Sequence, residues 1–105
     1  MKHKFNAVRC ECDGIKFASK AERAYYNKLK LLQESGEVLF FLCQVPFILD
    51  AGIKYICDFQ VFYAPKGEEP GEISFVDVKG VCTSNFLLKK RLLEKKYPIK
   101  LEIVK

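Results

Sequence analysis

Three carboxylates and one lysine have types and positions that point to chemistry rather than to solubility. Asp77 and Lys79 lie two residues apart in the stretch Ile73-Ser-Phe-Val-Asp-Val-Lys-Gly80. Its β-branched and aromatic residues read as a strand, and apolar residues on both faces place that strand centrally in a sheet. Alternation puts Ile73, Phe75, Asp77 and Lys79 on one face and Ser74, Val76 and Val78 on the other. A charge ending such a face has to be paired or ligated, because an isolated buried ion is very costly. Gly80 is expected to end the strand and to let another chain approach closely.

Ile53–Tyr63 reads as a second long strand, joined to the first by the turn-rich loop Ala64-Pro-Lys-Gly-Glu-Glu-Pro-Gly71. If that loop closes symmetrically, Ala64 faces Gly71, and counting back along both strands brings Asp58 opposite Asp77. Facing carboxylates, with Cβ atoms about 5 Å apart, repel and want a shared proton or a bound cation. A hard divalent ion with oxygen ligands is the natural solution.

Glu22 is the third carboxylate. Ser19-Lys20-Ala21-Glu22 has the form of a capping box ahead of a helix reaching about Ser35, with Gly36 as its stop. Folding back onto the cap amide would account for Glu22 on its own. Tyr25, Tyr26, Leu29 and Leu32 follow it at helical spacing, however, so Glu22 heads the apolar stripe and faces the core. The helix N-terminus also favours a negative charge.

These groups need elements to hold them. Phe5–Cys12 has a loose strand pattern, and the Asp13-Gly14 turn before Ile15-Lys16-Phe17 predicts a small hairpin. Val38–Leu42 and Val45–Leu49, separated by Gln44 and broken by Pro46, read as a strand with a bend or as two short strands. Thr83 or Ser84 caps a second helix that runs to about Tyr97 and is halted by Pro98. Leu88, Leu92, Leu93 and Tyr97 are its expected buried side. Ile99–Val104 alternates as a closing strand. The order helix, three strands, helix, strand predicts an α/β fold: a mixed β-sheet with flanking helices, the last helix leading to a parallel final strand. With no repeat or linker in 105 residues, a single domain spanning 1–105 is expected.

Half of the residues are hydrophobic and 30% are charged, an ordinary globular balance that argues against disorder. The apolar run Val38–Cys43 is too short to cross a bilayer. No apolar segment follows Met-Lys-His-Lys-Phe, so no signal peptide is read and a cytoplasmic location is expected. A net charge of +5 and a pI near 9.0 favour a polyanionic partner only weakly. The odd count of cysteines (Cys10, Cys12, Cys43, Cys57, Cys82) suggests free thiols. Cys10-Glu11-Cys12 has no second pair or histidine at zinc spacing, and His3 is assigned no role. On the second helix Lys89, Lys90, Arg91, Lys95 and Lys96 form either a solvated face or a set of phosphate contacts. Thr83, at that helix's start, can donate to a phosphate, and Lys54 shares the face of Asp58. Gln44 supports the site or is only a strand residue. Tyr25 and Tyr26 read as core.

Glu22 on the first helix, Asp58 on one strand and Asp77-Val78-Lys79 on the next resemble the PD-(D/E)XK nuclease superfamily. The whole chain is similar to a phage-type family of small endonucleases related to Holliday junction resolvases. The likeness runs through Asp13-Gly-Ile-Lys-Phe-x-Ser19-Lys-x-Glu22, Asp58-Phe59, Val78-Lys79-Gly80 and Thr83-x-x-Phe86-x-Leu88-Lys89-x-Arg91. Cys57 stands where the superfamily name has proline, and Asp77 where many members carry glutamate. The resemblance implies an αβββαβ restriction-endonuclease-like core preceded by a small N-terminal hairpin. It implies hydrolysis of DNA phosphodiester bonds with Mg²⁺ or Mn²⁺ and no organic cofactor. Asp58, Asp77 and the Val78 carbonyl would ligate the ion, with Glu22 holding it directly or through water. Lys79 would position the nucleophile or stabilise charge on the phosphorus, and Thr83, Lys89, Lys90, Arg91 and Lys54 would contact DNA. A branched substrate such as a four-way junction, a homodimer, and the host cytoplasm if the chain is phage-encoded complete that reading. A nucleic-acid-binding module of the same fold without catalysis, or a flap or nicking endonuclease, are the alternatives.

Overall fold

The computed structural model describes residues 10–105, so residues 5–9 of the expected first strand, and His3, lie outside the described residues. Strands β1 (Cys10–Cys12) and β2 (Ile15–Phe17) pair antiparallel around Asp13-Gly14. Both turn residues have positive φ, 52° and 76°, the backbone that a two-residue hairpin requires and that Asp-Gly adopts readily. Helix α1 (Lys20–Glu34) starts at the expected cap: Ser19 Oγ accepts a 3.1 Å hydrogen bond from the Glu22 N–H. Gly36 follows its end in the left-handed region, and Glu22, Tyr26 and Leu29 are its buried stripe.

Strands β3 (Val38–Ile48), β4 (Lys54–Tyr63), β5 (Ile73–Val78) and β6 (Leu101–Val104) form one sheet in that order. The first two junctions are antiparallel and β5–β6 is parallel, the crossover running through α2 (Ser84–Lys96). The mixed α/β architecture therefore has the form expected, with β5 internal. Loop 64–71 closes in the symmetrical register, with Phe62 facing Ile73 and Phe59 facing Val76. The close approach expected at Gly80 falls elsewhere. A Cβ on Gly80 would meet nothing within 4 Å, whereas one on Gly71 would overlap the Tyr63 carbonyl oxygen. Among the described residues, no helix is long and apolar enough to cross a membrane.

Two cores flank the sheet. Phe17, Tyr26, Leu29, Val38, Phe59, Val61 and Val76 pack under α1. Leu49, Tyr55, Cys57, Leu93 and Leu101 pack under α2, with Phe86 and Tyr97 against them. Leu88 and Leu92, expected on the buried side of α2, are 53% and 36% exposed. Leu93 and Tyr97, expected on that side too, do pack inward, and the Phe86 ring joins them in place of 88 and 92, which turn to solvent.

A reversal in facing organises the centre of the sheet. Residues of one parity along a regular strand share a face. Here Phe41 and Cys43 pack against the α1 core, but Val45 and Phe47 pack against the α2 core. On β4, Phe59 and Val61 belong to the α1 core, and Tyr55 and Cys57 to the other. Both strands thus reverse at one level, where Gln44 lies between the pairs Cys43–Phe59 and Val45–Cys57. Gln44 has φ 55°, a left-handed backbone that interrupts strand alternation. The bend expected between the two apolar runs is this residue, inside one continuous strand.

Candidate active site

The β4–β5 ladder stops at Phe59–Val76, one step before Asp58 and Asp77. Beyond it, side chains replace carbonyls as acceptors. The Asp58 N–H donates to Asp77 Oδ1 at 2.7 Å, and the Val78 N–H donates to Asp58 Oδ2 at 2.9 Å. Each carboxylate is thereby clasped by the opposite strand's backbone. Cys57, at the fork, has its thiol 3.4 Å from the Phe59 carbonyl and 3.6 Å from that of Val76. Burial raises its pKa to about 11, so it remains a thiol at neutral pH.

Asp58 and Asp77 are 9% and 1% exposed. Burial is the leading cause that lifts both pKa values above the usual carboxylate range, and the backbone bonds and the Lys79 charge oppose it. The strain expected from mutual repulsion is thus led by loss of water instead. Asp77 Oδ2 is fully buried with no hydrogen-bond partner.

Glu22 is 4% exposed. Its backbone N–H serves the Ser19 cap, and its carboxylate turns to Gln44, whose Nε2 donates to Glu22 Oε1 at 3.0 Å. Burial first, then the charge of Asp58, raise its pKa to about 7. Gln44 also opposes the rise of the Asp58 pKa. An open cleft of about 260 Å³ joins these residues, lined by Lys16, Phe17, Ala18, Glu22, Gln44 and Asp58. Gln44 and Lys16 are the residues that the sequence did not assign. The signal for Gln44 was a polar residue between two apolar runs, and Lys16 lay in a segment read as a hairpin and as part of the family likeness, with no role of its own.

Lys79 does not line this cleft. Its Nζ sits 4.9 Å from the centre of the Phe86 ring, within a second cleft shared with Lys54, Thr83 and Lys89. Its charge still lowers the pKa values of Glu22, Asp58 and Asp77. The basic run of α2 does not form one surface. Lys90 pairs with Glu94 at 3.0 Å, and the other Glu94 oxygen accepts from the Leu101 N–H. Arg91 and Lys95 border a separate depression. The Thr83 hydroxyl oxygen caps α2 by accepting from the Phe86 N–H at 3.1 Å.

Among the described residues, no three His, Cys, Asp or Glu side chains come close enough together to cage an ion. Glu22, Asp58 and Asp77 therefore do not form a closed ligand set, and Val78 meets Asp58 through its N–H. The chemistry of the aspartate pair nevertheless suits a hard cation. Each aspartate commits one oxygen to a backbone bond, and the free Asp77 Oδ2 is a buried acceptor without a donor.

The family model described as "Protein of unknown function (DUF1064)" matches residues 2–105. No curated protein and no solved structure matches the chain.

Proposed function

The chain belongs to the DUF1064 family, whose function is unknown, and from the site itself we propose that it is a metal-dependent endodeoxyribonuclease. The observation that carries this reading is the buried, unpartnered Asp77 Oδ2 beside a carboxylate clasped in the same way. Burying two acids and leaving one oxygen unsatisfied is costly unless a proton or a bound cation neutralises the charge, and in this reading a cation takes that part. Asp58, Asp77 and the Val78 carbonyl would hold Mg²⁺ or Mn²⁺, with Glu22 joined through water. When bound, such an ion neutralises phosphate charge and lowers the pKa of attacking water.

The chain's own residues supply the rest. In the metal-free chain Glu22 has a pKa of about 7, and beside the charge of a bound ion it would be held ionised and able to accept a proton from water. Gln44 fixes the direction of its carboxylate. Lys16, on the rim of the same cleft, faces an arriving phosphodiester with positive charge. Lys79 places a further cation close enough to act on all three acids.

The substrate in this reading is branched DNA, as at a Holliday junction, because no base-reading motif accompanies the basic residues. Symmetrical cutting of a four-way junction requires two such sites, hence a homodimer. Labelled linear, flapped and four-way DNA, each incubated with Mg²⁺ or with EDTA, tests the proposal. Cleavage of the branched forms with Mg²⁺ alone is expected. Equal cleavage in EDTA, or none of any substrate with Mg²⁺ or Mn²⁺, would overturn it.

A further inference from the structure

The second cleft, about 330 Å³ between the start of β4, the end of β5 and the N-terminus of α2, has chemistry of its own. Three ammonium groups, Lys54, Lys79 and Lys89, line it together with Thr83 and Asn85, and no carboxylate among the described residues does. The Lys79 Nζ leans on the Phe86 ring at its wall, a contact that holds the charge in place. The exposed N–H groups of the first turn of a helix favour an anion.

An independent feature points the same way. Tyr55 also lines this cleft. It is 5% exposed, and its hydroxyl is buried without any hydrogen-bond partner. Packing against Leu93 and Leu101 accounts for the ring, but phenylalanine would serve that purpose as well. An unsatisfied donor on a residue that lines a cleft of three cations, buried just behind its wall, is complementary to an oxyanion.

We infer that this cleft binds a phosphate group of a nucleic-acid strand through Lys54, Lys89, Asn85 and the Tyr55 hydroxyl, apart from the carboxylate site. The inference rests on the nuclease reading for the identity of its ligand, not for the existence of the anion site. The phosphate belongs either to the backbone next to the cleaved bond or to a 5′ end.

Inorganic phosphate titrated into ¹⁵N-labelled full-length protein in EDTA should bind saturably and shift the amides of Tyr55, Asn85 and Lys89. Tyr55→Phe, which removes only the unpartnered hydroxyl, and Lys89→Gln should each weaken binding about tenfold. Oligothymidylates with a 5′-phosphate or a 5′-hydroxyl then separate the sources. Tighter binding of the phosphorylated form, lost in Tyr55→Phe, assigns the cleft to a strand end. Equal binding of both, weakened alike by Tyr55→Phe, assigns it to the backbone. Absent or dispersed shifts, or variants that bind phosphate like wild type, would overturn the inference. If Mg²⁺-dependent DNA cleavage persists in that case, the nuclease reading stands without it. If phosphate seats in the cleft but no DNA is cut, the nuclease reading fails and the anion site stands.

Discussion

Replacing Glu22 by glutamine should stabilise the metal-free protein above neutral pH and hardly affect it in acid. Glu22 titrates near 7 in the folded chain, against an ordinary value of 4.5. Between those values the folded state holds a proton that the unfolded state has released, so stability falls as pH rises through this window. The penalty is absent below about pH 4.5 and complete above about pH 7. A difference of about 2.5 pH units corresponds to a ceiling of about 3 kcal/mol, at about 1.4 kcal/mol per unit. Glutamine at 22 keeps an oxygen for the Gln44 Nε2 bond and offers its own N–H₂ towards the Asp58 charge. A gain of about 1–3 kcal/mol at pH 8 is therefore expected, which in a domain of this size raises Tm by several degrees. Melts of wild type and Glu22→Gln in EDTA, from pH 4.5 to 8.5, measure the gap as a function of pH. A gap that stays constant with pH, or a variant that melts lower at pH 8, would refute the assignment of the raised pKa to this carboxylate.

Asp77→Asn should abolish cleavage and also remove most of the stabilisation that wild type gains from added Mg²⁺; a variant stabilised by Mg²⁺ as wild type is would remove Asp77 from the ligands. The two neighbouring lysines of α2 should part company. Lys89→Ala is expected to lower the salt slope of DNA binding by about one unit. Lys90→Ala, which breaks the pair with Glu94, should leave that slope alone and lose at most about 1 kcal/mol of stability; the wild-type slope in both variants would return both to a solvated face. Gly71→Ala should destabilise the fold by more than about 1 kcal/mol through its overlap with the Tyr63 carbonyl. Gly80→Ala should be close to neutral in the same denaturant titration.

The elements were legible because local chemistry and fold agree. The Asp13-Gly14 turn, the Ser19 cap and the Thr83 cap each carry their own instruction, and the structure follows all three. The register of β4 against β5 could be read from the symmetry of loop 64–71. What could not be read lies in long-range geometry. Gln44 adopts a left-handed backbone that no local pattern demands, and its partner Glu22 is 22 residues away. The direction of Lys79 depends on Phe86, a ring on another element. The inward turn of Phe86, with Leu88 and Leu92 left exposed, is decided by the shape of the core it fills. Lys90 looked like its neighbour until the Leu101 N–H drew Glu94, and Glu94 drew Lys90.

The reversed facing of β3 and β4 also determines what would have to be moved to rebuild this site in another scaffold. The tripeptide Asp-Val-Lys and an aspartate on a neighbouring strand are not a portable unit. Grafted onto a regularly alternating hairpin in the same register, the two aspartates would stand side by side on one face. Their oxygens would then miss the backbone amides that run between the strands, because a continuing ladder would already use those amides. The transplant that preserves the clasp consists of both strands, the left-handed residue at 44 and the early end of pairing at Phe59–Val76. A designer would specify the interruption of the sheet before choosing the acids.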